Sequence, residues 1–195
     1  MVQLPNSILY VKNGAAKWKW WESAKQQNQI HAGWRKIPAD DIRNFDPTTI
    51  DRIFKRAYPK DTRASLNALK RLLDRPSQHV WITIEEGCLW WCLVKDRAKA
   101  SDSEKDGHGH FWLECSKPWS IKSIGGHKLT VSDLPGAVAK VAGFKGTVCQ
   151  PEAWQQVRRI ILDQPDEVGL EVARRRASYE KSMGDYALAI GTYRP

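Results

Sequence analysis

The chain has 195 residues, 42% of them hydrophobic, with 31 basic and 22 acidic side chains and a formal net charge of +9. This is the length of one domain, or of one domain with a small addition, and it holds enough apolar material for a packed core, which excludes wholesale disorder. The densest apolar run, residues 88–94, is far short of the roughly 18 residues that span a bilayer, and the opening MVQLP lacks the basic and apolar parts of a secretory signal, so a soluble, cytoplasmic protein is expected.

Residues 7–12 (SILYVK) alternate well enough for a first strand, broken by Asn13-Gly14. Residues 15–28 then read as a helix, with Trp18, Trp21, Ala24 and Lys25 spaced by threes and fours. On that helix Trp18 and Trp21 share the face that docks on the sheet, and Trp20 turns away. Residues 29–34 lead into a second extended piece, stopped by Pro38. Asp46-Pro47 opens a helix through Tyr58: Asp46 suits the cap, Pro47 the first helical position, and Ile50, Ile53, Phe54 and Ala57 form one face. Another helix starts at Asp61 or Thr62, striped by Leu66, Leu69, Leu72 and Leu73, and pairs with the first on one core.

From Val80 the period changes from helical to twofold. Residues 80–84 and 87–94, joined by Glu85-Glu86-Gly87, predict a β-hairpin. Val80, Ile82 and Ile84 share a face opposite Trp81 and Thr83; Leu89, Trp91 and Leu93 share one opposite Cys88, Trp90 and Cys92. Both faces are apolar, which places the hairpin between layers. Residues 98–109 read as a polar loop, and 111–115 as a strand ended by Lys117-Pro118. A turn-rich stretch follows over 123–134, then a short helix or turn over 135–141 and a closing strand over 146–149. From Pro151 the pattern is helical, through Trp154, Val157, Ile160 and Ile161, then Val168, Val172 and Tyr179. The fold class is α+β: a small, mostly antiparallel curved sheet or β-barrel with packed helices over 1–150, and a helical appendage or linker to a further domain over 151–195.

Charge and aromatics are unevenly placed. Residues 1–100 carry 18 basic and 10 acidic side chains, and residues 101–195 carry 13 and 12. A basic first half beside a neutral second half suggests a surface for a polyanion. The chain holds ten tryptophans. An aromatic on a barrel strand is more often core than ligand platform. The functional alternative is that two or three indoles line a pocket for a flat ligand, since a nucleobase offers π-faces whose stacking contributes about 1–3 kcal/mol per base.

The run from Trp20-Trp21-Glu22 through Gln29-Ile30-His31-Ala32-Gly33-Trp34-Arg35-Lys36-Ile37 resembles the opening of the EVE-like members of the PUA superfamily, where a Trp-bearing helix precedes an I-x-x-G-W strand. The hairpin Val80-Trp81-Ile82-Thr83 to Leu89-Trp90-Trp91, the segment Lys117-Pro118-Trp119-Ser120 and the closing Gly146-Thr147-Val148-Cys149 are similar too, so that the likeness covers most of residues 7–150. The resemblance implies a PUA-like β-barrel with an aromatic-walled pocket for one nucleobase. It points to the specificity domains of modification-dependent restriction systems, which extrude a modified base from duplex DNA. It implicates Trp34 from the Gly-Trp step, with Trp20, Trp21, Trp91, Trp119 and Ser120 as further candidates for the walls. The helical insertion over 46–75 and the C-terminal helices depart from the family pattern.

Such a mechanism is physically coherent. Flipping a base costs a few kcal/mol, which stacking and edge hydrogen bonds must offset. Ser120, Asn28 or a backbone amide could read the base edge, while Arg35, Lys36, Lys117 and Lys122 are placed to meet flanking phosphates; the bland alternative for each cation is a solvated face.

Other chemistries fare worse. His108 and His110 are close, but no second ligand pair completes a zinc set, and Cys88 and Cys92 on one strand stand over ~12 Å apart. Four cysteines are too few for a disulfide scaffold, so reduced, partly buried thiols are expected. Cys149 or Cys92 with His127 could be combined arithmetically, but there is no nucleophile elbow, phosphate loop or HExxH. Arg174-Arg175-Arg176, flanked by Glu171 and Glu180, reads as a salt-laced exposed face. No cofactor, metal or catalytic residue is expected, and any nuclease activity is expected on another domain or chain. The ending YALAIGTYRP is compatible with a chain cut from something longer. The partner is then duplex DNA with a modified base. The alternatives are an RNA-binding PUA-type protein and a small hydrolase or transferase that uses the same pocket.

Overall fold

Strand β1 (Ser7–Val11) sends Ile8 and Tyr10 to one face of a sheet and Leu9 and Val11 to the other, and all four are buried. A strand apolar on both sides must be covered on both sides. That requirement organises the molecule, a computed structural model that describes residues 4–13, 20–102, 110–134, 136–144 and 146–164. The expected helix start over 15–19 with Trp18, His108 of the His108/His110 pair, and everything from 165 onward, including Arg174-Arg175-Arg176, lie outside the described residues.

Helix α1 (Trp21–Gln27) and β2 (Gln29–Ala32) follow, then α2 (Ala39–Arg43), α3 (Pro47–Ala57) and α4 (Arg63–Leu73). Both long helices start as their sequences dictate. Asp46 accepts the Thr49 N–H at 2.6 Å with Pro47 next to it, and Thr62 accepts the Ser65 N–H at 3.4 Å. Ile50 and Phe54 of α3 and Leu66, Leu69, Leu72 and Leu73 of α4 are buried against the sheet.

The hairpin is formed by β3 (His79–Glu85) and β4 (Cys88–Ala100), with Glu85 opposite Cys88. Glu86 and Gly87 both have positive φ, 53° and 71°, as a two-residue type I′ turn requires. The expected parity holds. Val80, Ile82, Ile84, Leu89 and Trp91 enter one cluster, with Leu93 packed against it; Trp81 and Cys92 enter the other, with Trp90 against it.

Two strands outrun their sequence signals. Strand β4 continues through Ala98–Ala100, where a loop is expected, because β5 (Phe111–Ser120) pairs with it there, Ala100 facing Phe111. Pro118 lies inside β5 rather than ending it. The β4–β5 ladder changes register between Leu93/Lys117 and Trp91/Ser120, and such an irregularity accommodates a residue without an N–H.

Helix α5 (Gly136–Ala139), strand β6 (Val148–Cys149) and helix α6 (Trp154–Ile161) complete the described order. The sheet runs β2-β5-β4-β3-β1-β6 and is open, with β2 and β6 at its edges. Pairing is antiparallel except for β1 with β3. The fold is thus α+β with a six-stranded, mostly antiparallel sheet.

Helices α1 to α4 cover one face. The other is covered by α5, α6 and the turns before them, through Leu129, Leu134, Val138, Val157 and Ile161. The first part of the expected appendage, α6, therefore belongs to the second layer of this sheet. Asp163, just past α6, fastens the layer. It accepts the Gly125 N–H, the Ser123 hydroxyl and His127 Nδ1, the last at 2.7 Å. The Ser123 hydroxyl, then His127, hold its carboxyl below the usual carboxylate range. Among the described residues no helix is long and apolar enough to cross a membrane.

Candidate functional site

The indoles divide by what becomes of their N–H groups. Trp81 donates to Pro76 O, Trp90 to Glu85 O, Trp91 to Lys122 O and Trp119 to Gln29 O, at 2.7 to 3.2 Å. A buried indole satisfied by a backbone carbonyl is a structural staple. Trp21 packs edge-on against Trp90 and Trp119, with ring centroids 5.1 and 5.5 Å apart. Lys25 lies 5.7 Å from the Trp21 and Trp90 rings and pairs with Glu86. This cluster is filled by the protein itself.

Trp20 is the exception. It caps the N-terminus of α1 with non-helical φ −111°, so helical periodicity does not set its direction. It is buried, at 5% exposure, rather than turned away. Yet it lies outside both hydrophobic clusters, and its Nε1 has no acceptor among the described residues. Asn13 positions it: the Asn13 carbonyl accepts the Trp20 N–H at 3.1 Å, while the Asn13 side chain accepts the His31 N–H at 3.0 Å. The end of β1, the start of α1 and strand β2 meet at this one buried asparagine.

Trp34 approaches Trp20 from the other side. It follows Gly33 directly after β2 and has φ +69°, an outlier for a bulky residue and a form of strain that gathers at binding sites. A turn closed by the Ile37 N–H to the Trp34 carbonyl at 3.0 Å holds that backbone. The Trp34 ring stacks on Phe111 at 6.1 Å, and its Nε1 donates to Ser65 Oγ at 3.1 Å. The edge of the Trp20 ring comes within 3.7 Å of where a Gly33 side chain would begin.

Between these two indoles lies a cavity of about 230 Å³, closed by Tyr58, Asp61 and Ser65 from the α3–α4 corner and by Lys12 and Thr147 from the ends of β1 and β6. This is below the roughly 300–1,000 Å³ of sites for drug-sized ligands and suits one small ring system. Its walls are two indoles and a phenol. Its polar end is a relay in which Trp34 donates to Ser65 and the Ser65 hydroxyl donates to Asp61 at 3.3 Å. The Tyr58 hydroxyl accepts the Lys36 N–H at 2.9 Å and keeps its own proton to donate, and the Lys36 ammonium stands 5.6 Å from the Tyr58 ring. Burial raises the Tyr58 pKa, so the phenol stays protonated. Arg35 and Lys36 are exposed and follow Trp34 directly, and Lys36 reaches the cavity wall through Tyr58.

Of the residues singled out by sequence, Trp20 and Trp34 come together here, with Lys36 against the Tyr58 wall and Arg35 next to it in the chain. The others do not. Trp91 is fully buried on the opposite face of the sheet, with Lys117 4.6 Å over its ring, because period-two parity turned it away from Trp90. Ser120 Oγ is spent on a local turn, donating to the backbone carbonyl of Lys122 at 2.9 Å and accepting its backbone N–H at 3.0 Å, which places Lys122 away from this cavity. Trp119 and Asn28 stand at the far end of β2; Asn28 ends α1 at φ 52°, and its carbonyl accepts the Cys115 N–H at 2.9 Å. Tyr58, Asp61, Ser65, Lys12 and Thr147 carried no sequence signal, since each meets the pocket only through the packing of distant elements.

The thiols and histidines sit elsewhere. Burial raises the Cys92 thiol and pushes Cys149 up to about 11, which keeps both protonated. His110 Nε2 donates to Ile37 O at 2.7 Å. Among the described residues no cluster of His, Cys, Asp or Glu could hold a metal ion. No family model matches the chain, and neither a curated protein nor a solved structure matches it.

Proposed function

We propose that the protein is a nucleic-acid-binding module that takes one nucleobase out of its stack into the cavity between Trp20 and Trp34. The observation that carries this reading is that Trp20, buried with no acceptor for its indole N–H among the described residues, and the half-buried Trp34 both line one cavity. Stacking against indole and phenol contributes about 1–3 kcal/mol per base, enough to offset most of the cost of extrusion. Tyr58 and Asp61 supply a donor and an acceptor for the base edge, and Arg35 and Lys36 face the flanking phosphates.

The same reading extends to modified DNA. An aromatic slot rewards the extra apolar surface of an alkylated base, and the Gly33-Trp34 step at the cavity is the one that resembles the EVE-like members of the PUA superfamily. The module would then be the specificity part of a modification-dependent restriction system, with strand cleavage on another domain or chain. The test is binding to one duplex sequence carrying 5-methylcytosine, N6-methyladenine or no modification, beside RNA of that sequence, with 2-aminopurine next to the target to report unstacking. Tighter binding to one modified duplex, lost in Trp34→Ala, is the expected result. Equal affinity for modified and plain DNA would end the sensor reading, and preference for the RNA would replace DNA as the partner.

A further inference from the structure

A second, larger cavity of about 470 Å³ adjoins the first and shares Tyr58 and Asp61 with it. It lies between α3 and α4 over an apolar floor that includes Phe54 and Leu66. Its charges are unbalanced. Asp51 is held by Lys70 at 2.6 Å and Asp61 accepts the Ser65 hydroxyl, whereas Lys55 and Arg63 have no hydrogen bond or ion pair among the described residues. The surrounding segment, residues 46–75, holds eight basic and four acidic side chains. With Asp51 paired to Lys70, Lys55 and Arg63 outnumber the remaining carboxylate, Asp61, by two to one, and an apolar floor with that cationic excess suits a ligand with both a ring and an anionic link. Because Tyr58 is the partition, that ligand must continue directly from the occupant of the first cavity.

We propose that the α3–α4 cavity is a second subsite, which holds the nucleotide adjoining the base in the first cavity and places its phosphodiester against Lys55 and Arg63. This rests on the reading of the first cavity as a base site. The ligand is then a strand of at least two nucleotides, both unstacked from any duplex, with the Tyr58 ring between them. The insertion that departs from the resemblance thereby gains a role: it lengthens a one-base pocket into a two-nucleotide groove.

The experiment compares, by quenching of tryptophan fluorescence, the nucleosides 5-methyl-2′-deoxycytidine and N6-methyl-2′-deoxyadenosine with the dinucleotides each forms with thymidine. The dinucleotide should bind about tenfold tighter than its nucleoside, as a charge-assisted phosphate contact implies. The double variant Lys55→Ala/Arg63→Ala, both on the surface, should reduce dinucleotide affinity to that of the nucleoside and leave nucleoside binding unchanged. Lys55→Arg/Arg63→Lys should keep most of the difference. Equal affinity of nucleoside and dinucleotide for the unaltered protein overturns the second subsite while leaving the base pocket intact. Failure of every probe to bind overturns both.

Discussion

The indole nitrogen of Trp34 donates to Ser65 Oγ, tying the turn after β2 to the first turn of α4. With its donor used internally, Trp34 can offer a ligand only its π-face. On the proposed reading the wall is a stacking platform whose angle is set by a hydrogen bond, and base-edge selection would fall to Tyr58 and Asp61. The hydroxyl that fixes the ring also orients the Asp61 carboxylate, so platform and edge are coupled through one serine.

Trp34→Ala should weaken base binding by about 1–3 kcal/mol, the contribution of a single stacking platform. Ser65→Ala should weaken it less while destabilising the fold by about 1 kcal/mol, since the indole N–H loses its acceptor. Calorimetric titration and urea unfolding of both variants check the order. A Ser65→Ala affinity as low as that of Trp34→Ala would make the serine, not the ring, the main contact.

Trp91→Ala should behave in the opposite way. Its ring fills the second cluster, so truncation should cost about 3–5 kcal/mol of stability. The fraction that remains folded should bind as the unaltered protein does. Stability and affinity measured on the same preparation separate the two effects.

Lys36→Ala should lower affinity for DNA evenly across sequences and reduce the slope of log K against log salt by about 1, as the loss of one phosphate contact does. Titrations at several salt concentrations give the slope. An unchanged slope would assign Lys36 to the Tyr58 ring alone.

Two carboxylates should give the stability curve opposite slopes. Burial, then Glu86 and Glu22, push Glu85 up from 4.5 to about 7. Between those values the native state binds more protons than the unfolded chain, so stability should fall as pH rises through that window and level off above it. Glu85→Gln should remove the fall. Asp163 is held low, so its contribution is present above the ordinary carboxylate value and is lost as pH drops through its native one. Asp163→Asn should flatten the acid limb of an unfolding series and speed amide exchange at Gly125.

Much of the architecture was legible from local pattern. Capping chemistry at Asp46 and Thr62 fixed two helix starts, and alternation from Val80 to Val94 placed each hairpin side chain on its face. Pattern misled where pairing partners decide. Ala98–Ala100 look like a loop until Phe111 is set against them, and Pro118 reads as a stop until the ladder slips beside it. The site was half legible: the Gly33-Trp34 step stood out, but Tyr58 follows a helix whose apolar stripe ends before it. Trp20 was misdirected by a helical period that does not begin until Trp21.

Strand β1 lies between β3 and β6, with Ser7 against His79 and Tyr10 against Cys149. Strand β1 must therefore wait for neighbours made far later, and closing such long loops slows folding. During translation Ile8 and Tyr10 would stay uncovered until α6, with Val157 and Ile161, leaves the ribosome. A nascent chain halted before that helix would carry one finished layer and one apolar sheet face left partly uncovered over β1, the surface a chaperone would grip.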